Sequence, residues 1–236
     1  MKKLHLHSTI TSVFLIALLS IFSFTITGCS DDDDPITPGT STKAKTTVTH
    51  ASPNAPNVDI LVNDAVVATN VPYLASLAYT ELNSGNNRIR VNVTGTSTTV
   101  IDATLPFDAG KNYSIFAIDS VSKISALRLE DDLTAPAAGK THVRFVHLSP
   151  NAPAVDIALA GGAVLFPNYS FKQASAFTPI NAGTYDLEVR LAGTSTVVLS
   201  LPGVPLIDGK IITVYARGFV GATGTQALSA SVILNN

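Results

Sequence analysis

The sequence predicts an all-β protein: two tandem antiparallel β-sandwich domains behind an N-terminal targeting segment. Three observations lead there. An internal repeat covers most of the chain, its apolar residues run in short stretches rich in Val, Ile, Thr, Tyr and Phe between Gly, Asn, Asp and Pro, and no amphipathic helical stretch of useful length interrupts them. The repeat opens with His50-Ala-Ser-Pro-Asn-Ala-Pro-Asn-Val-Asp-Ile60, which returns as His147-Leu-Ser-Pro-Asn-Ala-Pro-Ala-Val-Asp-Ile157 at an offset of 97. Tyr79-Thr80 then matches Phe177-Thr178, Asn83 and Gly85 match Asn181 and Gly183, Gly95-Thr-Ser-Thr98 matches Gly193-Thr-Ser-Thr196, and Gly110-Lys111 matches Gly209-Lys210. Matches in one order mean two homologous domains, 46–134 and 141–236, joined by a linker at 135–140. In the first copy the strand pattern falls on 58–62, 77–82, 88–94, 98–105, 113–118 and 124–130, with counterparts in the second. Asn83-Ser-Gly85 and Asp108-Ala-Gly110 supply turns, because Gly and Asn accept positive φ cheaply. Roughly seven or eight short strands per copy is the content of an immunoglobulin-like sandwich. A domain of that size buries its own core, so two beads on a tether are expected.

Ahead of the repeats, Lys2 and Lys3 precede an uncharged apolar stretch over 13–26. That is the charged n-region and apolar h-region of a secretory signal, shorter than the roughly 20 residues a membrane-crossing helix needs. It ends in Ile26-Thr27-Gly28-Cys29, which resembles a bacterial lipobox, with Ile26 and Thr27 in place of the usual Leu and Ala or Ser. The resemblance implies removal of residues 1–28 and lipidation of Cys29, the one cysteine of the chain. Several acyl chains hold a protein on a membrane where one holds it marginally. Residues 29–45 form an acidic, Pro- and Thr-rich tether: Asp31, Asp32, Asp33 and Asp34 repel one another and nothing in the segment offers an apolar face. An acidic run directly after the lipidated Cys also resembles the surface-export signal of Bacteroidota lipoproteins.

Composition excludes other classes. The 236 residues are 46% hydrophobic and 14% charged, unlike a disordered chain, and the net charge of −2 provides no basic surface for nucleic acid. Removing residues 1–28 takes two Lys and no acid from the 15 basic and 17 acidic side chains, so the mature charge is −4.

The His-x-Ser-Pro-x-Ala-Pro-x-Val-Asp opening, the later aromatic-Thr turn ending in Gly, and Ala109-Gly-Lys-x-Tyr113 resemble the bacterial domain-of-unknown-function family numbered 4397. The second copy departs by carrying 211–213 as Ile-Ile-Thr where the Tyr is expected. The resemblance implies tandem domains in secreted proteins and lipoproteins, and no activity.

The candidate site residues are His50 with Asp59 and His147 with Asp156. Each His and Asp, nine residues apart across Ser-Pro-Asn-Ala-Pro, act as a general base or as metal ligands if the loop folds back on itself. On the structural reading, which the duplication favours, each Asp accepts loop N–H groups and each His fills a strand end. No Gly-x-Ser-x-Gly elbow and no phosphate-binding glycine loop occur. Glu130, Asp131 and Asp132 are expected as a solvated linker edge, with Ca²⁺ ligation the second reading. In corresponding strands, Arg88-Ile-Arg90 stands where the second copy has Asp186-Leu-Glu188, and the opposite signs suggest that these faces pair between domains or molecules.

These readings lead to an expected outer-membrane, lipid-anchored, surface-exposed protein whose β-sandwich modules bind rather than catalyse, with no catalytic residues, metal or cofactor. Loops 53–57 and 150–154 are the expected contact points. The expected partners are the membrane, through Cys29, and an extracellular protein, with a glycan second because exposed rings are scarce: only Tyr73, Tyr79, Phe107 and Tyr169 are available, and there is no Trp. A periplasmic envelope spacer and an accessory module of a hydrolase system are the alternatives.

Overall fold

The structure is a computed structural model that describes residues 42–236. Cys29 and Asp31 to Asp34, with the expectations attached to them, lie outside the described residues.

The first repeat holds β1 (Lys43–His50), β2 (Val58–Val62), β3 (Ala65–Val71), β4 (Thr80–Asn83), β5 (Gly85–Val93), β6 (Thr99–Phe107), β7 (Asn112–Ile118) and β8 (Ser125–Asp131). The second holds β9 (Lys140–His147), β10 (Val155–Leu159), β11 (Val164–Tyr169), β12 (Thr178–Asn181), β13 (Gly183–Leu191), β14 (Val197–Leu206), β15 (Ile211–Arg217) and β16 (Ser229–Leu234). Each repeat is a sandwich of two four-stranded sheets, β4-β1-β7-β8 over β3-β2-β5-β6 and β12-β9-β15-β16 over β11-β10-β13-β14. One feature departs from a purely antiparallel sandwich. β1 runs parallel to β7 from Lys45↔Asn112 to His50↔Ala117, and β9 runs parallel to β15. Parallel neighbours need a long crossover, which the five intervening strands provide. β1 also begins at Lys43, within the stretch read as tether, and Ala44 is buried there.

β7 decides how the repeats relate. Tyr113, Ile115 and Ala117 point into the first repeat's own core, beside Ile89, Phe107 and Val91. The alternate residues Phe116 and Ile118 join Val146, Leu148, Tyr215 and Ile233 of the second repeat in one buried cluster. Both faces of β7 are therefore covered. β15 repeats the pattern, with Ile212, Val214 and Ala216 inward and Tyr215 across. The inner sheets pack face to face, and the protein is a four-layer β stack rather than two beads on a tether. Each large apolar side chain removed from water at this seam contributes about 1.5–3 kcal/mol, which domain size alone does not reveal.

A polar network crosses the same seam. Asp131, nearly fully buried, faces Arg144 of the second repeat at 2.7 Å. Its other carboxylate oxygen accepts from Tyr79 at 2.5 Å and Ser114 at 2.7 Å. Arg144 donates to Thr213 at 3.0 Å and to the Glu130 carbonyl at 3.3 Å, and lies 4.4 Å from the Phe177 ring centre. Asn235 accepts from Thr213 and donates to Tyr79. Burial first, and then the adjacent Asp131 carboxylate, push the Tyr79 phenol well above its usual pKa. The acidic cluster is thus no uniformly solvated edge. Glu130 and Asp132 are exposed, the former bound to Lys111 at 2.8 Å, while Asp131 points into the seam because β8 alternates.

The two oppositely charged strand faces do not meet. Arg88 and Arg90 on β5, and Asp186 and Glu188 on β13, lie on the outer sheets, away from the seam. Each face is satisfied within its own repeat: Arg88 by Asp102 at 2.6 Å, Arg90 by Asp64 at 3.0 Å, Glu188 by Arg190 at 2.6 Å, and Asp186 by the Gly203 N–H at 2.8 Å.

Candidate functional site

The His-x-Ser-Pro-Asn-Ala-Pro-x-Val-Asp motif builds a clamped loop, and each polar member has a defined bond. His50 Nε2 lies 3.1 Å from the Pro56 carbonyl and His147 Nε2 3.1 Å from that of Pro153. A carbonyl only accepts, so both rings carry their proton on Nε2. Ser52 donates to the Asp119 carbonyl and Ser149 to that of Gly218, each at 2.6 Å. Asn54 accepts from the Val121 N–H and Asn151 from the Val220 N–H, each at 2.8 Å, which ties the loop to the connection after β7 or β15. Asp59 accepts from the Asn70 N–H and the Thr94 hydroxyl. Asp156 accepts from the Asn168 and Gly193 N–H groups.

The predicted pairs are therefore separate. His50 and Asp59 each fasten a different part of the loop, as do His147 and Asp156, and among the described residues no hydrogen bond joins the members of either pair. Burial holds both imidazoles below their ordinary pKa, against the opposing pull of the proline carbonyls. Asp59 is held low by the Asn70 N–H first and Thr94 next. Among the described residues no group of three His, Cys, Asp or Glu side chains is arranged to hold a metal ion. The four rings considered for stacking are committed elsewhere. Phe107 is in the core, Tyr79 is in the seam, Tyr73 sits edge-on to His50, and Tyr169 packs on Phe145 with centroids 5.7 Å apart.

Sequence reasoning missed two apolar openings at the sandwich edges. In the first repeat the sandwich is open between β3 and β4, leaving about 300 Å³ lined by Val48, Ile60, Val67, Leu77, Ile89 and Ile115, with Asn63, Glu81 and Asn83 among its polar members. The same location in the second repeat holds about 10 Å³. The strand pairings explain the difference: Phe166 opposes Ile157 where Ala68 opposes Ile60, and Tyr169 opposes Val155 where Val71 opposes Val58. Phe145 likewise stands at the position of Val48, giving three large side chains for three smaller ones. The second repeat opens instead at its other edge, with about 340 Å³ lined by His147, Ala152, Pro153, Val155, Val198 and Leu228, together with other residues. Its connection after β15 spans 218–228, against 119–124 after β7, so Leu228 stands off the core that Ile124 packs against in the first repeat. The volume contrast was visible in the repeat alignment as Val against Phe. The second opening depends on loop length and was not.

Fold and site together define a class: a tandem β-sandwich protein whose two modules are fused through their inner sheets and left open at different edges. No curated protein matches the sequence. Residues 44–158 match the model of the family described as a domain of unknown function, DUF4397. The match takes in all of the first repeat and ends in β10. Among solved structures, the chain is similar to a family 26 carbohydrate-binding module of Eubacterium rectale Amy13K, crystallised with maltoheptaose, at 11% identity and a TM-score of 0.26, covering 80% of this chain and 96% of that one. It is also similar to the Bacillus anthracis TIE protein at 14% identity and a TM-score of 0.24, covering 74% of this chain and 34% of that one. Likeness at this level carries no information about ligands.

Proposed function

We propose that the protein is a non-catalytic binding protein, held on the outer membrane by lipid on Cys29 and displayed at the cell surface, where it takes an extended segment of a protein partner. The observation that carries this reading is the open edge of the first repeat. A gap of about 300 Å³ between two packed sheets forgoes apolar contacts that the same fold makes in the second repeat, where about 10 Å³ remains. The opening lies between β3 and β4, the edge strands of the two sheets, and β3 exposes Val66 at 60% and Val67 at 55%. Edge strands offer unpaired backbone groups, and an apolar slot beside them accepts the side chains of an added strand. The signal, the lipobox resemblance and the acidic tether support display outside the cell.

The test is protease shaving of intact cells, comparing the native protein with Cys29→Ala and with Asp31 to Asp34 replaced by Ala. Cleavage of the native protein on whole cells, lost in both variants, is the expected result. Protection until lysis places the body in the periplasm and replaces surface binding by an envelope role.

A further inference from the structure

The second repeat carries the first repeat's slot already filled. Walls of the same type line both: Ile60, Leu82, Ile89 and Ile115 in the first stand where the second has Ile157, Ile180, Leu187 and Val214. Against those walls the second repeat sets the rings of Phe145 and Phe166, both buried, and about 10 Å³ remains. The first repeat has Val48 and Ala68 at these positions, and about 300 Å³ stays open over the same kind of wall. The slot therefore lacks ring-sized side chains that its walls accommodate elsewhere in the same molecule. The edges differ in the matching sense. β11 carries Pro167 and β12 carries Pro179, and a Pro in an edge strand removes an N–H and blunts the edge. β3 and β4 carry no Pro, and β3 has no charge along its seven residues, against four residues in β4. The filled repeat has guarded edges, and the open repeat has an unguarded one.

Given that this edge takes an extended segment, as proposed above, we propose that the slot selects the segment by a phenylalanine ring: the partner pairs its backbone with β3 and sends one phenyl side chain between the sheets, into the space that Phe145 and Phe166 fill in the second repeat. The side chains on either side of that ring point the other way, because an added strand alternates. β3 offers no charge to read, so the ring carries the selectivity. A charged side chain in place of the ring is rejected, because Ile60, Ile89 and Ile115 offer it no counter-ion.

The experiment is selection from a library of random seven-residue peptides on the purified full mature chain in detergent, so display on cells plays no part in it. Enriched peptides are expected to carry Phe at a single position, to slow amide exchange over residues 65–71, and to lose about tenfold or more in affinity when that Phe is replaced by Ala. Val67→Lys, at an edge position 55% exposed, is expected to abolish binding without lowering the unfolding temperature. Val48→Phe with Ala68→Phe is expected to abolish it by filling the slot. Enriched peptides that lack Phe and still slow exchange in β3 overturn the selection by a ring and leave strand addition at this edge standing. Absence of enrichment, or binding undiminished in both Val67→Lys and the filled variant, overturns the two together.

Discussion

The two repeats share a fold and differ where they touch. Superposing their strand registers matches Thr47 with Arg144, Ser114 with Thr213, Tyr79 with Phe177 and Asp131 with Asn235. At these positions the first repeat contributes one anion and no cation, and the second one cation and no anion. Joined as they are, the charges neutralise at 2.7 Å. A seam between two first repeats would instead confront two buried Asp131 carboxylates, and one between two second repeats two Arg144 guanidiniums. The asymmetry therefore specifies which inner sheet meets which, a use of buried charge that does not require the pair to add stability. Removing one partner is the sharpest way to break it. Asp131→Ala, which leaves Arg144 buried and unpaired, is expected to lower unfolding free energy by about 3–5 kcal/mol in urea titration. The double variant Asp131→Asn with Arg144→Thr, which makes each repeat resemble the other, should lose much less. A double loss as large as the sum of the losses from Asp131→Asn alone and Arg144→Thr alone would mean that the charges act independently.

The openings differ in the same way: one fold closes at β11 and β12 with Phe145, Phe166 and Tyr169, and stays open at β3 and β4 with Val48, Ala68 and Val71. Transplanting the larger side chains tests whether the slot is kept for use. Val48→Phe with Ala68→Phe is expected to fill the first repeat and raise stability by about 1–2 kcal/mol in thermal unfolding, as cavity filling commonly does. If the slot binds a partner's strand, the same variant loses capture of that partner on cells. A destabilised double variant would show that the surrounding sheet has set around the smaller residues.

Much of this was legible in the sequence, and the misses have physical causes. The repeat and the stretches of Val, Ile and Thr locate the eight strands of each module, apart from β1 and β3. β1 reads as tether because Lys43-Ala-Lys-Thr-Thr is polar by composition, although Ala44 and Val48 alternate inward. β3 is a largely exposed edge and carries little burial signal. The stacking of the repeats was encoded in β7 and β15, whose unbroken apolar runs, Ile115 to Ile118 and Ile211 to Ala216 around Thr213, are those of strands covered on both faces. Arg144 between Val143 and Phe145 was likewise a charge in a core strand with a mate to be sought. The mate lay hidden in Glu130-Asp131-Asp132, where composition says solvent and only strand alternation singles out the middle residue.

The two motif histidines extend the comparison to pH. Both are buried, and both have pKa values lowered from 6.5 in the folded protein, so the unfolded chain binds protons that the native rings refuse. Stability is therefore unaffected by these groups above about pH 6.5, falls as pH drops through 6.5, and levels once the depressed folded-state values are passed. Urea midpoints between pH 7.5 and 5 are expected to show this decline, and His50→Gln with His147→Gln should flatten it.

The smallest effect concerns the outer faces. Arg88 and Arg90 are balanced by Asp102 and Asp64 within their own sheet and have no partner across the molecule. Exposed pairs of this kind add little to stability and are screened by salt. Reversing both arginines to Glu is expected to leave the small-angle scattering profile unchanged, because the spacing of the repeats is held by Phe116, Ile118, Val146, Leu148 and the Asp131–Arg144 pair, none of which those charges reach. A change in profile would mean that charge on an outer sheet can move a seam built from buried side chains, and the separation of roles between the two sheets of each repeat would fail.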